Sequence, residues 1–169
     1  MELLILRHGR AVELGTEGIT RDEDRFLTSE GEVEVAAVGH ALRRADAVPE
    51  RVLSSPLLRA RQTTERVLGA LGSDAPIELR PELKPGATPM GIMALIASHG
   101  RDAKRVLIVG HQPDLGRFVG TLLGQERLDI RIAPGGLARV DIENPGRAWV
   151  GPLIWLWDRV CATGFGDTA

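Results

Sequence analysis

Cysteine occurs once in the 169 residues, at Cys161. A single thiol closes no intrachain disulfide, builds no Cys-rich metal site, and suits a reducing cytoplasmic setting. No apolar run approaches the 18 residues or so of a membrane span. The stretch from Met1 to Leu6 is apolar without a basic flank, and is too short for a signal peptide. Neither sign of charge dominates: 21 basic and 23 acidic residues leave −2. That excludes a general nucleic-acid or membrane-surface binder, while a local basic pocket is still allowed. No Gly-x-Gly-x-x-Gly follows a strand, and there is no P-loop and no His-Glu-x-x-His. A metal site would need further His or carboxylate ligands at suitable spacing, and none is present.

What remains is an ordinary globular composition, 43% hydrophobic and 26% charged. The length gives room for one domain over residues 1–169, with no repeat and no linker. Leu3 to Leu6, Arg51 to Ser54, Ile77 to Leu79 and Val106 to Val109 read as strands. Continuous apolar runs suit central parallel strands covered on both faces. Between them lie helices with legible ends. Thr28 caps a stripe of Val35, Val38 and Leu42. Ser55-Pro56 reads as a cap with Pro at the first helical position, before Leu57, Ala60, Thr64, Val67, Leu68 and Leu71, with Gly72 as the stop. Thr88-Pro89 opens a helix carrying Ile92, Met93 and Ile96, and Gln112-Pro113 opens one carrying Leu115, Phe118, Val119 and Leu122. Leu137 to Ile142 and Trp149 to Trp157, separated by Asn144-Pro145-Gly146, read as a closing hairpin or edge pair. The order predicts a three-layer α/β/α sandwich with a mostly parallel central sheet. The polar segment from Arg10 to Phe26 reads as a long loop, and its run Arg21-Asp22-Glu23-Asp24-Arg25 as a solvated turn. Trp149, Trp155 and Trp157 cover the sheet edge or form an interface.

Open α/β sheets bind ligands at the carboxyl ends of their strands. The residues at those ends are Arg7-His8-Gly9, Ser54-Ser55-Pro56 with Arg59 a turn later, and Gly110-His111-Gln112-Pro113. Two imidazoles and two guanidiniums thus share one edge with two helix N-termini, whose free N–H groups favour an anion. Arginine matches phosphate oxygens in a fork. A fully buried Arg7 would need an anionic partner. His40 and His99, on helical segments, read as structural.

Leu6-Arg7-His8-Gly9, the stretch Ser54 to Thr63, and Gly110-His111 together resemble the three ordered motifs of the histidine phosphatase superfamily. Within it the chain is most similar to the short SixA-type phosphohistidine phosphatases. It shares with them Arg25-x-Leu27-Thr28 followed by Gly31, Pro81-Glu82-Leu83-x-Pro85, and Gly110-His111-x-Pro113. The resemblance implies that His8 attacks phosphorus, that Arg7, Arg59 and His111 hold the phosphoryl oxygens, and that Arg25 and Gly9 add substrate contacts. It implies no cofactor and no metal. Many larger members carry an added carboxylic acid between the second and third motifs. Here Glu82 is the best candidate for it, or else an exposed turn residue. The expected substrate is phosphohistidine on a protein. A small phosphate ester is the alternative, and a non-catalytic phosphate-binding adaptor is a third reading.

Overall fold

The protein is described by a computed structural model over residues 1–125, 127–143 and 149–157. The elements follow as β1 (Glu2–Arg7), α1 (Ser29–Arg44), β2 (Arg51–Ser54), α2 (Leu58–Leu71), β3 (Ile77–Leu79), α3 (Pro89–His99), β4 (Arg105–Gly110), α4 (Asp114–Leu122), β5 (Leu137–Asp141) and β6 (Leu153–Trp157). Single 3₁₀ turns cover Asp22–Asp24 and Pro81–Leu83. The strands form one sheet in the order β3-β2-β4-β1-β5-β6. The first four are parallel, while β5 runs antiparallel to β1 and β6 antiparallel to β5. The mostly parallel α/β/α sandwich expected from the sequence is thus what the chain forms. No helix among the described residues is long and apolar enough to cross a membrane.

The unbroken apolar runs have a simple cause: both faces of the sheet are covered. Leu3, Ile5, Val106 and Ile108 pack with Ile92, Ile96, Phe118 and Val119 from α3 and α4. Leu4, Leu6, Leu107 and Val109 pack with Val35, Val38, Val67 and Leu71 from α1 and α2. All eight strand residues are fully buried. Each such side chain contributes roughly 1.5–3 kcal/mol relative to an exposed one, so the strand centres anchor the fold.

Helix ends follow the sequence in most places. Thr28 and Thr88 accept hydrogen bonds from Gly31 N and Gly91 N, and Gly72 takes the left-handed conformation (φ 77°) that ends α2. The Ser55-Pro56 cap is a correction. α2 starts at Leu58 with Leu57 as its N-cap, and no side chain caps it. The reason lies in the sheet: Ser55 N still donates to Val109 O at 2.9 Å, so the extended backbone runs past the end of β2. Pro113 is likewise the N-cap of α4 and not its first residue. The closing strands are shorter than expected, and Trp149 precedes β6. Trp155 and Trp157 are half-buried and stack at 4.1 Å against the α1–α2 side of the core, while Trp149 packs on the other side. They therefore cover the outer part of the sheet. The expected turn at Asn144-Pro145-Gly146, and Cys161, lie outside the described residues.

Topology sets the place of the site. β1 and β4 are neighbours, yet β1 leads to α1 on one face and β4 leads to α4 on the other. Chains leaving adjacent strand ends in opposite directions open a crevice between them.

The α1–α2 contact offers a test of the packing. A Cβ on Gly39 would lie 2.3 Å from the Val67 carbonyl oxygen and 2.8 Å from Ala70 Cβ. Gly39→Ala is expected to cost about 1–3 kcal/mol through overpacking. Urea unfolding should show a lower midpoint with an unchanged slope.

Candidate active site

His8 follows β1 and His111 follows β4. The parallel register sets Arg7 opposite Gly110, and His8 N donates to Gly110 O at 3.1 Å. The two imidazole centroids are then 5.0 Å apart with the rings tilted by 53°. Arg59, in the first turn of α2, comes from the third strand end and is only 3% exposed.

Each ring has a defined hydrogen-bonding role. Nδ1 of His8 lies 2.7 Å from Gly9 O. A carbonyl only accepts, so Nδ1 carries the proton and the neutral ring keeps its lone pair on Nε2. Burial lowers the His8 pKa from 6.5 to about 4; Arg59, Arg7 and Arg25 push the same way, against the Gly9 hydrogen bond. Burial, followed by the charges of His8 and Arg59, brings His111 down to about 3. His111 Nε2 lies 2.9 Å from the Ser55 hydroxyl, while its Nδ1 is buried without a partner. At neutral pH both rings are uncharged.

The arginines supply the positive charge. Arg7 is partly exposed, because it stands at the end of β1 where the crevice opens. Its NH1 donates to Ile132 O at 2.8 Å, and its Nε is buried without an acceptor. Burial and the Arg131 charge lower its pKa from the ordinary arginine value. Arg59 donates from NH1 to Asp22 O (2.7 Å) and from NH2 to Asp22 Oδ2 (2.9 Å), and its Nε too is buried and unpartnered. Arg25 donates from Nε to Val12 O at 2.7 Å and from NH1 to Asp22 Oδ1 at 3.1 Å. Two buried guanidinium nitrogens, Arg7 Nε and Arg59 Nε, therefore lack acceptors around one pair of imidazoles, and His111 Nδ1 lacks a partner. An oxyanion has the oxygens to satisfy them.

A cleft of about 600 Å³ is lined by Arg7, His8, Gly9 and Arg25, with residues of the 10–17 loop and Thr28. Gly9 shapes the cleft floor and not an open donor: its N–H donates to Thr63 Oγ1 at 3.0 Å, and a Cβ there would meet Val35 at 2.7 Å. Glu82 sits exposed in the 3₁₀ turn after β3, near the end of β2, with no hydrogen bond to either imidazole. His40 approaches Arg43 on α1, and His99 contacts Ser98 at the end of α3. Among the described residues, no group of three or more His, Cys, Asp or Glu is placed to hold a metal ion.

Three residues have roles at the site that the sequence did not assign to them. Ser55 holds His111, and Thr63 ties Gly9 N to Arg59 O. Both lie inside the second motif, so their presence there was a usable signal. Asp22 is the third: residues 21–24 are exposed, as expected of a solvated turn, yet the half-exposed Asp22 side chain reaches Arg59. The turn is folded back by Val12 N→Phe26 O and Thr28 N→Arg10 O, which brings Asp22 onto Arg59.

Fold and site together are those of an α/β phosphatase with a histidine-centred pocket. Residues 3–85 match the histidine phosphatase superfamily (branch 1). Phosphohistidine phosphatase SixA of Escherichia coli is 33% identical over 151 residues, covering 86% of this chain and 88% of that protein. An uncharacterized protein of Picosynechococcus is 38% identical over 144 residues, covering 81% of this chain and 82% of its own length. The solved structure of the protein histidine phosphatase SixA complexed with tungstate superposes with a TM-score of 0.81 at 29% identity, over 93% of this chain and 96% of that one. The chain belongs to the histidine phosphatase superfamily, and within it to the SixA type.

The pKa shifts have a measurable consequence. Imidazole NMR resonances of His8 and His111 should stay at their neutral positions down to about pH 5 and titrate near 4 and 3. Because both folded values are depressed, their contribution to stability is complete above pH 6.5 and is lost as pH falls through about 4. Denaturation midpoints measured from pH 7.5 to 4 should fall in that window, and less steeply in His8→Gln.

Proposed function

We propose that this phosphatase removes phosphate from phosphohistidine on proteins through a phosphorylated His8. The observation that carries the mechanism is the His8 Nδ1 bond to Gly9 O, which leaves Nε2 as the free lone pair. Nε2 attacks phosphorus as the bond to the substrate imidazole breaks. That imidazole leaves neutral once its nitrogen is protonated. Arg7 Nε, Arg59 Nε and His111 Nδ1 are the open donors for the phosphoryl oxygens. Ser55 supports His111 as a donor by giving its own proton to Nε2. Water then attacks phosphorus, the bond to His8 breaks, and phosphate leaves. Positioning and charge stabilisation supply most of the rate in such a transfer. His8 needs no base, because it is already neutral.

Two features support a protein-borne phosphoramidate as the substrate. The chain is similar to phosphohistidine phosphatase SixA over most of both lengths. Glu82 is exposed and makes no hydrogen bond to either imidazole, so it is not held in place as an acid for an alkoxide leaving group. The lone cysteine suits a cytoplasmic setting.

Rapid mixing with a phosphohistidine protein, quenched in alkali because phosphohistidine is acid-labile, should capture phosphate on His8. His8→Ala should lose at least about 10³-fold in turnover. Turnover at the wild-type rate in that variant would remove the mechanism.

The substrate class is tested through Glu82. Glu82→Gln is expected to leave phosphohistidine hydrolysis within about twofold, since a positioned acid is worth roughly 10²–10⁴-fold only where the leaving group needs one. If the wild type cleaves alkyl phosphates as fast as phosphohistidine, and Glu82→Gln abolishes only the ester activity, the enzyme is a small-molecule phosphomonoesterase.

A further inference from the structure

The clamp of Asp22 on Arg59 takes no part in the chemistry above. We propose that Asp22 is the resident counter-ion of the phosphate pocket and sets how tightly the pocket holds an oxyanion. This rests on Arg59 as a phosphate ligand and extends that reading to a residue that does not touch the phosphoryl group.

Arg59 is 3% exposed, and a guanidinium so far from water requires a partner. Asp22 is that partner twice over, through its backbone oxygen on NH1 and its carboxylate on NH2. Its other carboxylate oxygen accepts from Arg25. One carboxylate thus bridges two of the arginines that surround His8. The neighbouring acids of the same turn do something else: Glu23 and Asp24 pair with Arg21.

The geometry makes Asp22 a sharer of Arg59 and not a plug. It takes the guanidinium end-on, through NH1 and NH2. The side edge, formed by Nε and one terminal nitrogen, is left with Nε buried and unpartnered. That edge is a second fork for two oxygens of a phosphoryl group. A bound phosphate and the Asp22 carboxylate then sit on two sides of one cation and repel each other in a partly desolvated site. Asp22 weakens the hold on any oxyanion, including the phosphate product, while keeping Arg59 charged, aligned and paired between turnovers.

Asp22→Asn keeps the size and one acceptor oxygen, and loses the negative charge and one of the two guanidinium contacts. Titration calorimetry with inorganic phosphate and with vanadate, at one pH and fixed salt, needs no turnover and no protein substrate. Asp22→Asn is expected to bind both about tenfold more tightly than the wild type. Asp24→Asn removes a charge from the same turn without touching Arg59, and should stay within twofold of the wild type. In turnover, Asp22→Asn should lower KM and the phosphate inhibition constant together, whereas a purely structural role would raise KM. Asp22→Ser, at a half-exposed turn position, gives the same readout if the Asn variant does not fold. Equal or weaker oxyanion binding in the Asp22 variants overturns the proposal, as does equal tightening by Asp24→Asn. A wild type that binds neither anion removes the phosphate pocket itself, and this proposal with it.

Discussion

β1 lies against β4 in parallel register from Glu2↔Arg105 to Arg7↔Gly110, and the chemistry of the molecule depends on that pairing. It brings together two strand ends more than a hundred residues apart in sequence. It fixes His8 by a backbone bond to Gly110 and sets His111 one residue beyond. A slip of one residue would turn the apolar side chains of β1 to the opposite face. Since both faces are packed against helices, the core itself protects the register. Site geometry is inherited from hydrophobic packing several residues below it.

Above that frame, two kinds of base meet burial differently. Imidazole has an ordinary pKa near neutrality, so burial and nearby cations suffice to keep it neutral. The His8 shift corresponds to a few kcal/mol, on the order of 3, against protonation. Guanidinium cannot shed its proton so readily and remains a cation that needs partners. The pocket therefore sorts its groups by chemistry: uncharged nitrogen nucleophile, charged clamps, and the Asp22 carboxylate behind the clamps.

How far the sequence discloses this depends on how local each cause is. Leu3–Leu6 and Val106–Val109 were legible because a sheet covered on both faces writes an unbroken apolar run. His8, His111 and Arg59 were legible because they stand just beyond such runs, and the three ordered motifs resemble a known family. Ser55 misled because a cap and a strand continuation look alike until the neighbouring Val109 carbonyl claims the Ser55 amide. The exact extent of β6 was obscured because Trp149 and Val150 are as apolar as the strand that follows. Asp22 was hidden most completely. A charged run in a long loop reads as solvated, and only the tertiary return of the chain at Val12 and Thr28 carries one of its carboxylates onto the buried Arg59.

The open donors on Arg7, Arg59 and His111 have a further consequence for stability. A buried N–H without an acceptor costs about 1–3 kcal/mol, so the unliganded pocket works against folding. The sheet tolerates this because the cost falls at the strand tips, while Leu3 to Leu6 and Val106 to Val109 below them are fully buried. An oxyanion that supplies acceptors binds the folded chain and not the unfolded one, so it returns stability by mass action. Binding and folding are in this way coupled through the same three nitrogens. An apolar replacement would remove the unsatisfied donors, but it would also discard the groups that recognise phosphate and strip Ile132 O and Asp22 of their guanidinium donors, so the pocket keeps an electrostatically incomplete surface above a close-packed floor.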